Sequence, residues 1–390
     1  MKILFVSHEK NMNGSTRSMI NLIEKLKEKH QFYVLLPWGK GDTYDALISR
    51  NINVIVADGY KEWIQPRSFQ GSIKSNWYIK WLSYLFFREN RNKKIAKKIH
   101  SQIKELEIDL IHTNTSVIDL GARLSEIGGI PHVWHVREMG IDDFNLYPYI
   151  GWKKAYLYME QHAKRIICIS DAVYDKVTAS IQKDKCVRIY NGVGKENLYP
   201  QRMYRTNCKL PFRILVAGNI SIGKRQDVAI KAVQELHRRG HNNVELFIAG
   251  RGDISKLGIN PNTLESYIHI LGQVKGLNEF RHDMDVEVVC SACEAFGRVT
   301  VEAMMSGMPV VASASGGSLE LIKDGENGYL FPMGDYFCLA DKLECLMLNC
   351  SLCEKMGKNA IQYSKSHFSI DRCAEEMDKL YSLVVESDMQ

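Results

Sequence analysis

Glu294 and Glu302 stand eight positions apart in the run Glu-Ala-Phe-Gly-Arg-Val-Thr-Val-Glu, on either side of a Phe-Gly pair. An apolar stretch, 286–290, precedes the pair, and a helical pattern, 301–305, follows it. A strand that feeds a helix leaves free backbone N–H groups and the positive end of a dipole, a setting that suits a phosphate. Glu294 is expected just before that end, and Glu302 about two turns inside the helix. Acids in those places repel a bare phosphate, so their expected work is to accept hydrogen bonds from neighbouring hydroxyls. A diphosphate joining two sugars would use every part of this arrangement, and a nucleotide sugar is such a ligand. The competing reading is an ordinary helix start, whose first turn favours acids.

The elements that must hold these acids follow from the periodicity. Short apolar, β-branched runs at 3–7, 31–36, 54–56, 110–112, 132–135 and 165–169 alternate with helical patterns, notably 18–28, 93–104 and 150–163. A turn signal at Asn191-Gly192 and a helix-poor stretch, 194–210, read as a linker. A second alternation follows, with strands at 213–217, 244–249, 269–271, 286–290, 309–312 and 328–331 and helices at 226–238 and 301–306. The expected fold class is therefore α/β, two doubly wound Rossmann-like domains facing across a cleft, with ligands outside the carboxyl ends of the strands. The expected borders are 1–200, 201–364 and a last helix, 365–390, packing back on the first domain.

A chain of 390 residues can build two cores. Ten cysteines show no Cys/His cluster at zinc spacing, so no metal is expected. Cys350 and Cys353 have Cys-x-x-Cys spacing on a C-terminal helical pattern, read as a half-buried helix face with redox chemistry as the alternative. The first residues enter a strand directly, and no apolar run reaches membrane-spanning length, so a cytoplasmic location is expected.

The net charge of +6 is mild but uneven. Residues 74–104 hold nine Lys or Arg against the single acid Glu89, interleaved with Trp77, Tyr78, Trp81, Tyr84, Phe86 and Phe87. Aromatics beside a basic helix suit an anionic membrane surface, and the plainer reading is a helix that packs its aromatics and solvates its lysines. No nucleic-acid module is recognisable.

The second half resembles something specific. Ala217-Gly218, Lys224, Gly250-Arg251-Gly252, Leu271-Gly272, the Glu294/Glu302 pair, Met308-Pro309, Gly316-Gly317, Glu320 and Gly325 to Gly328 follow the order seen in family 4 retaining glycosyltransferases of the GT-B fold. The resemblance implies sugar transfer from a nucleotide-diphosphate donor, UDP-linked in this reading, with retained anomeric configuration and no cofactor or metal. It implies Lys224 as the cation for the leaving diphosphate, Glu302 on the donor ribose and Glu294 on the transferred sugar. Backbone N–H groups of Phe296, Gly297, Arg298 and Val299 would meet sugar or phosphate oxygens, and backbone around Gly250, Arg251, Gly272 and Val274 would read the base. The family places Arg where this chain has Asn219 beside Gly218, and Arg225 or Arg298 would compensate.

In the first half, Gly14 and Ser15 lie where the family has Gly-Gly near the phosphates. His135 matches the reaction-centre histidine. His112, Arg137 and Glu138 are candidates for acceptor binding, Arg137 and Glu138 alternatively pairing with each other. Both histidines are expected at the lip of the cleft. The acceptor would be a saccharide or lipid-linked saccharide of the cell surface. A nucleotide-sugar epimerase of the same fold is the main alternative. A dinucleotide oxidoreductase lacks its G-x-G-x-x-G fingerprint here, and a non-catalytic sugar-nucleotide sensor is a weaker option.

Overall fold

The computed structural model describes residues 1–66, 77–148, 150–198 and 202–389. The chain divides into two compact units, residues 1–192 with 373–390, and residues 193–372, against expected borders at 200 and 365.

Unit 1 runs β1 (Lys2–Val6), α1 (Gly14–Leu26), β2 (Gln31–Leu36), α2 (Asp42–Ile48), β3 (Asn53–Val56), β4 (Ile64–Pro66), α3 (Trp77–Lys104) and β5 (Leu110–Thr113). It continues through α4 (Leu120–Gly128), β6 (His132–Val136), α5 (Ile141–Phe144), β7 (Leu146–Pro148), α6 (Trp152–His162), β8 (Arg165–Cys168), α7 (Asp171–Thr178) and β9 (Cys186–Arg188). Seven strands form one parallel sheet in the order β3-β2-β1-β5-β6-β8-β9. The inner strands β5 and β6 are buried at every position, as a parallel sheet covered on both faces requires. Among the described residues the parallel rule fails once: β4 and β7, three residues each and both ending in proline, pair antiparallel as a separate ribbon.

Unit 2 contains β10 (Phe212–Ala217), α8 (Gln226–Arg238), β11 (Val244–Ala249), β12 (Ile268–Gly272), α9 (Leu277–Phe280), β13 (Val286–Val289) and α10 (Arg298–Met305). After these come β14 (Val310–Ser313), α11 (Ser318–Leu321), β15 (Gly328–Phe331), α12 (Tyr336–Leu348) and α13 (Cys350–His367). Its parallel sheet has the order β12-β11-β10-β13-β14-β15. In each sheet the first strand is flanked by a later crossover, β5 beside β1 and β13 beside β10. That reversal opens a crevice at the carboxyl ends of the strands, the switch point at which doubly wound folds bind ligands.

The last helix, α14 (Ile370–Met389), begins in unit 2 and passes into unit 1. There Cys373, Ala374, Met377, Leu380, Tyr381 and Val384 join the core built by Ile3, Phe5, Met19 and Val34. Among the described residues, no helix is long and apolar enough to cross a membrane. Lys74 lies outside the described residues, as do the side chains of Trp77, Tyr78, Trp81 and Tyr84; Phe86 and Phe87 are 67% and 70% exposed.

Candidate functional site

The switch point of unit 2 joins the loop after β10 to the loop after β13. Ala292 N–H donates to Gly223 O at 2.8 Å, tying the two loops. Lys224 Nζ then reaches Glu294 Oε1 at 2.5 Å, and Ser291 Oγ donates to the same oxygen at 2.5 Å. Glu294 is nearly enclosed, whereas about a third of the lysine side chain is exposed. The cation that the sequence assigns to a phosphate and the acid it assigns to a sugar are thus direct neighbours. Ser291, three residues before Glu294, was not legible as part of the site.

Glycines permit this crowding. A Cβ on Gly316 would lie 2.2 Å from Glu294 O, and one on Gly317 would lie 2.5 Å from Phe296 O. Gly317 N–H donates to Glu294 O at 2.7 Å, so the loop before α11 clamps the loop before α10. Gly297 caps α10 at φ 94, a left-handed conformation that favours glycine. The helix has no side-chain N-cap and no acid in its first turn. The helix begins at Arg298, so Glu302 is its fifth residue, one turn in where two were expected, and the ordinary reading of the two glutamates as first-turn acids fails as well. Buried Thr300 Oγ1 and Ser318 Oγ, at the starts of α10 and α11, have no hydrogen-bond partner.

Glu302 is held from both sides. Arg298 Nε donates to Oε1 at 2.8 Å and Arg281 Nη1 donates to Oε2 at 3.2 Å. Arg281 is wholly buried and also binds Glu287, buried on β13, at 2.8 Å. Desolvation opposes the Arg281 charge, but Glu287 and Glu302 outweigh it and raise its pKa. This brace was missed in the sequence, where Arg281 stands in an unremarkable loop. Arg225 pairs with Asp227, so both arginines expected to compensate for Asn219 spend part of their charge on a carboxylate. Gly218 N–H donates to Ala249 O, and a Cβ on Gly250 would collide with Gly218 O at 1.8 Å. Gly250 N–H in turn donates to Gly272 O at 2.7 Å, beside half-buried Val274. Arg251 Nε donates to Gln273 Oε1 at 2.5 Å. The residues named for base reading thus form one connected set of strand ends.

Unit 1 corrects the expectation of exposed histidines. His112 and His135 are 0% and 2% exposed, because β5 and β6 are inner strands and Tyr381 of α14 covers His112. Arg137 Nη2 donates to His135 Nδ1 at 3.2 Å, and a guanidinium can only donate. His135 therefore holds its proton on Nε2, a tautomer assigned from its hydrogen bonds. His112 Nε2, 3.2 Å from the same Nδ1, donates as well, which leaves His112 Nδ1 to accept from Tyr381 Oη at 2.7 Å. Burial first, and the Arg137 charge second, push both imidazoles well below their usual pKa, so both are neutral. His135 Nε2 is buried without a partner, a ready hydrogen-bond donor. His112, with both nitrogens engaged and no exposure, supports His135 instead of touching an acceptor.

Arg137 and Glu138 are also enclosed. The Arg137 guanidinium binds Asn114 and Asn191, while Glu138 Oε2 accepts from Ser116 and from the Arg137 backbone N–H. Gly14 opens α1 behind the N-cap Asn13, whose side chain also accepts from Ser15 Oγ. A Cβ on Gly14 would meet nothing within 4 Å. The sequence did not reveal a cavity of about 180 Å³ lined by Ser7, His8, Trp38, Tyr60, Lys61 and Glu62, at the carboxyl ends of β1 and β2. Burial pulls the His8 pKa down, yet the hydrogen bond that His8 donates to Glu9 and the nearby acids leave it raised.

Residues 208–363 match the family described as Glycosyl transferases group 1, and residues 12–196 match Glycosyltransferase Family 4. The chain is 28% identical to an uncharacterised glycosyltransferase of Methanocaldococcus jannaschii, over 98% of both proteins. It is 26% identical to the capsular polysaccharide biosynthesis glycosyltransferase CapM of Staphylococcus aureus, over 60% of this chain and 66% of that one. The structure of Anabaena HepE in complex with UDP and glucose superposes with a TM-score of 0.74 at 23% identity, covering 98% of this chain and 99% of that one. With two doubly wound units, each matched by its own family, the chain belongs to the family 4, group 1 glycosyltransferases and has their GT-B fold.

Proposed function

We propose that the protein moves a sugar from a UDP-linked donor to a saccharide or lipid-linked saccharide, with retention and without a metal, in cell-surface polysaccharide synthesis. The observation that carries this reading is Lys224, ion-paired to Glu294 beside the uncapped, acid-free start of α10. Together they offer a cation and oriented N–H groups to a diphosphate, and a carboxylate to hydroxyls next to it. Glu302, fixed by two arginines, keeps lone pairs for a ribose. A solved relative in fold is a complex with UDP and glucose, and a relative in sequence works in capsular polysaccharide synthesis.

On leaving, the diphosphate would be stabilised by Lys224 and the α10 N–H groups, and the acceptor hydroxyl would attack from the same face of the sugar. His135, neutral and donating from Nε2, suits a hydrogen bond to a sugar hydroxyl. In unit 1 the cavity with Trp38, Lys61 and Glu62 offers a ring face and charged groups to an acceptor sugar. Phe86 and Phe87, exposed on the same helix as Lys93, Lys94, Lys97 and Lys98, suit peripheral attachment to the cytoplasmic face of an anionic membrane.

A panel of nucleotide sugars read by calorimetry and thermal shift tests the donor. One UDP-sugar should bind and raise the melting temperature, and Glu302→Ala should abolish that binding; equal affinity in the variant would overturn the site. Turnover followed by NMR should give product with the donor's anomeric configuration, unchanged in EDTA.

A further inference from the structure

Cys208 and Cys350 lie 142 positions apart in sequence, yet their sulfurs approach to 2.7 Å. Both belong to unit 2. Cys208 closes a strap, residues 202–208, that leads into β10, and Cys350 is the first residue of α13. The strap is tied down along its length. Arg202 Nη1 donates to Arg281 O at 2.8 Å, Tyr204 Oη to Gly307 O at 3.0 Å, and Arg205 Nη2 to Met347 O at 2.5 Å.

The two sulfurs share a hydrogen bond, and Cys208 Sγ also lies 3.4 Å from Leu348 O. The Cys208 pKa is lowered, chiefly by hydrogen bonds from the Cys350 side chain and backbone N–H, with the Arg205 charge adding to the effect. Burial pushes Cys350 the other way, so it keeps its proton as the resolving thiol. Neither residue is fully enclosed, in contrast to Cys290, Cys353 and Cys373. A low-pKa, reachable thiol beside a second thiol has the make-up of an oxidant-sensitive pair.

We propose that Cys208 and Cys350 form a redox modification site, in which an oxidant such as hydrogen peroxide converts the two thiols into a reversible disulfide that pins the strap to the start of α13. The Cys208 thiolate attacks one peroxide oxygen and the O–O bond breaks, giving a sulfenic acid and, after proton uptake, one water. The Cys350 sulfur then attacks the sulfenic sulfur, and the S–S bond forms as the S–O bond breaks. Hydroxide leaves with the Cys350 proton as a second water. A dithiol reductant reverses the change by exchange. The strap end at Arg202 holds the backbone of Arg281, so the disulfide stiffens the frame around Glu302. The inference is independent of which sugar is transferred.

The test uses the whole chain, treated with hydrogen peroxide and mapped by mass spectrometry without reduction. The expected product is a peptide joining Cys208 to Cys350, lost on adding dithiothreitol, with a melting temperature about 5–10 °C higher in the oxidised form. Cys350→Ser should abolish the rise and let Cys208 oxidise beyond the sulfenic stage, and Cys208→Ser should abolish both. If either variant fails to fold, alkylation of the unaltered protein still decides: Cys208 should label faster than every other cysteine near neutral pH. The proposal is overturned if peroxide joins other cysteines, such as Cys168 and Cys186 of neighbouring strands, and leaves this pair reduced. It fails equally if the link forms only in denaturant, or if oxidised and reduced proteins melt together.

Discussion

His135 has one nitrogen without a partner because its neighbours supply donors to the other. Arg137 and His112 both donate to Nδ1, and Tyr381 fixes His112 in the tautomer that can do so. Tyr381→Phe removes the outermost donor and keeps the packing. We expect kcat to fall about five- to tenfold with KM little changed, the worth of roughly one hydrogen bond; steady-state kinetics with intact far-UV dichroism would check it. Lys224→Ala should cost more, about 10²–10³ in kcat, if its charge meets the leaving group as proposed. His135 was legible because a histidine at the end of an apolar run is conspicuous. Tyr381 was not, because it meets His112 from 269 positions away and looks like any aromatic on an amphipathic helix.

The crossover from β13 to α10 shows what periodicity can and cannot reveal. An apolar run, a Phe-Gly turn and a helical repeat marked the strand, the loop and the helix in the sequence. The true start of α10 at Arg298, the left-handed Gly297 and the clamp from Gly316-Gly317 depend on backbone angles and contacts that no spacing encodes. The same holds for the buried trio of Arg281, Glu287 and Glu302, whose members come from a 3-10 turn, a strand and a helix. Arg281→Met would leave enclosed Glu287 without its cation and Glu302 with Arg298 alone. We expect a loss of about 3–5 kcal/mol in urea unfolding, with weaker donor binding in whatever protein remains folded. Exchanging the trio for apolar residues of similar volume should restore stability, which would assign the Arg281→Met loss to the uncompensated charges.

Acid should weaken unit 1 through its enclosed imidazoles. Burial lowers the His132 pKa from 6.5 to about 4, and His112 and His135 shift in the same direction. As pH falls through 6.5 the unfolded chain takes up protons that the folded chain refuses, so stability drops until about pH 4. His132 alone should account for roughly 3 kcal/mol across that window. Melting temperatures measured from pH 7.5 to 4.5 should decline accordingly, and a flat profile would contradict the enclosed, neutral state of these rings. Unit 1 also depends on the end of the chain. Met377, Leu380, Tyr381 and Val384 contribute about 8 kcal/mol by their burial, comparable with the roughly 5–15 kcal/mol that holds a whole domain. Ending the chain after Arg372 should therefore leave unit 1 open to protease and unit 2 resistant. The same feature sets a timetable during synthesis: residues 1–192 leave the ribosome first yet stay incomplete until the final helix emerges, so the unit made second is the first able to finish folding.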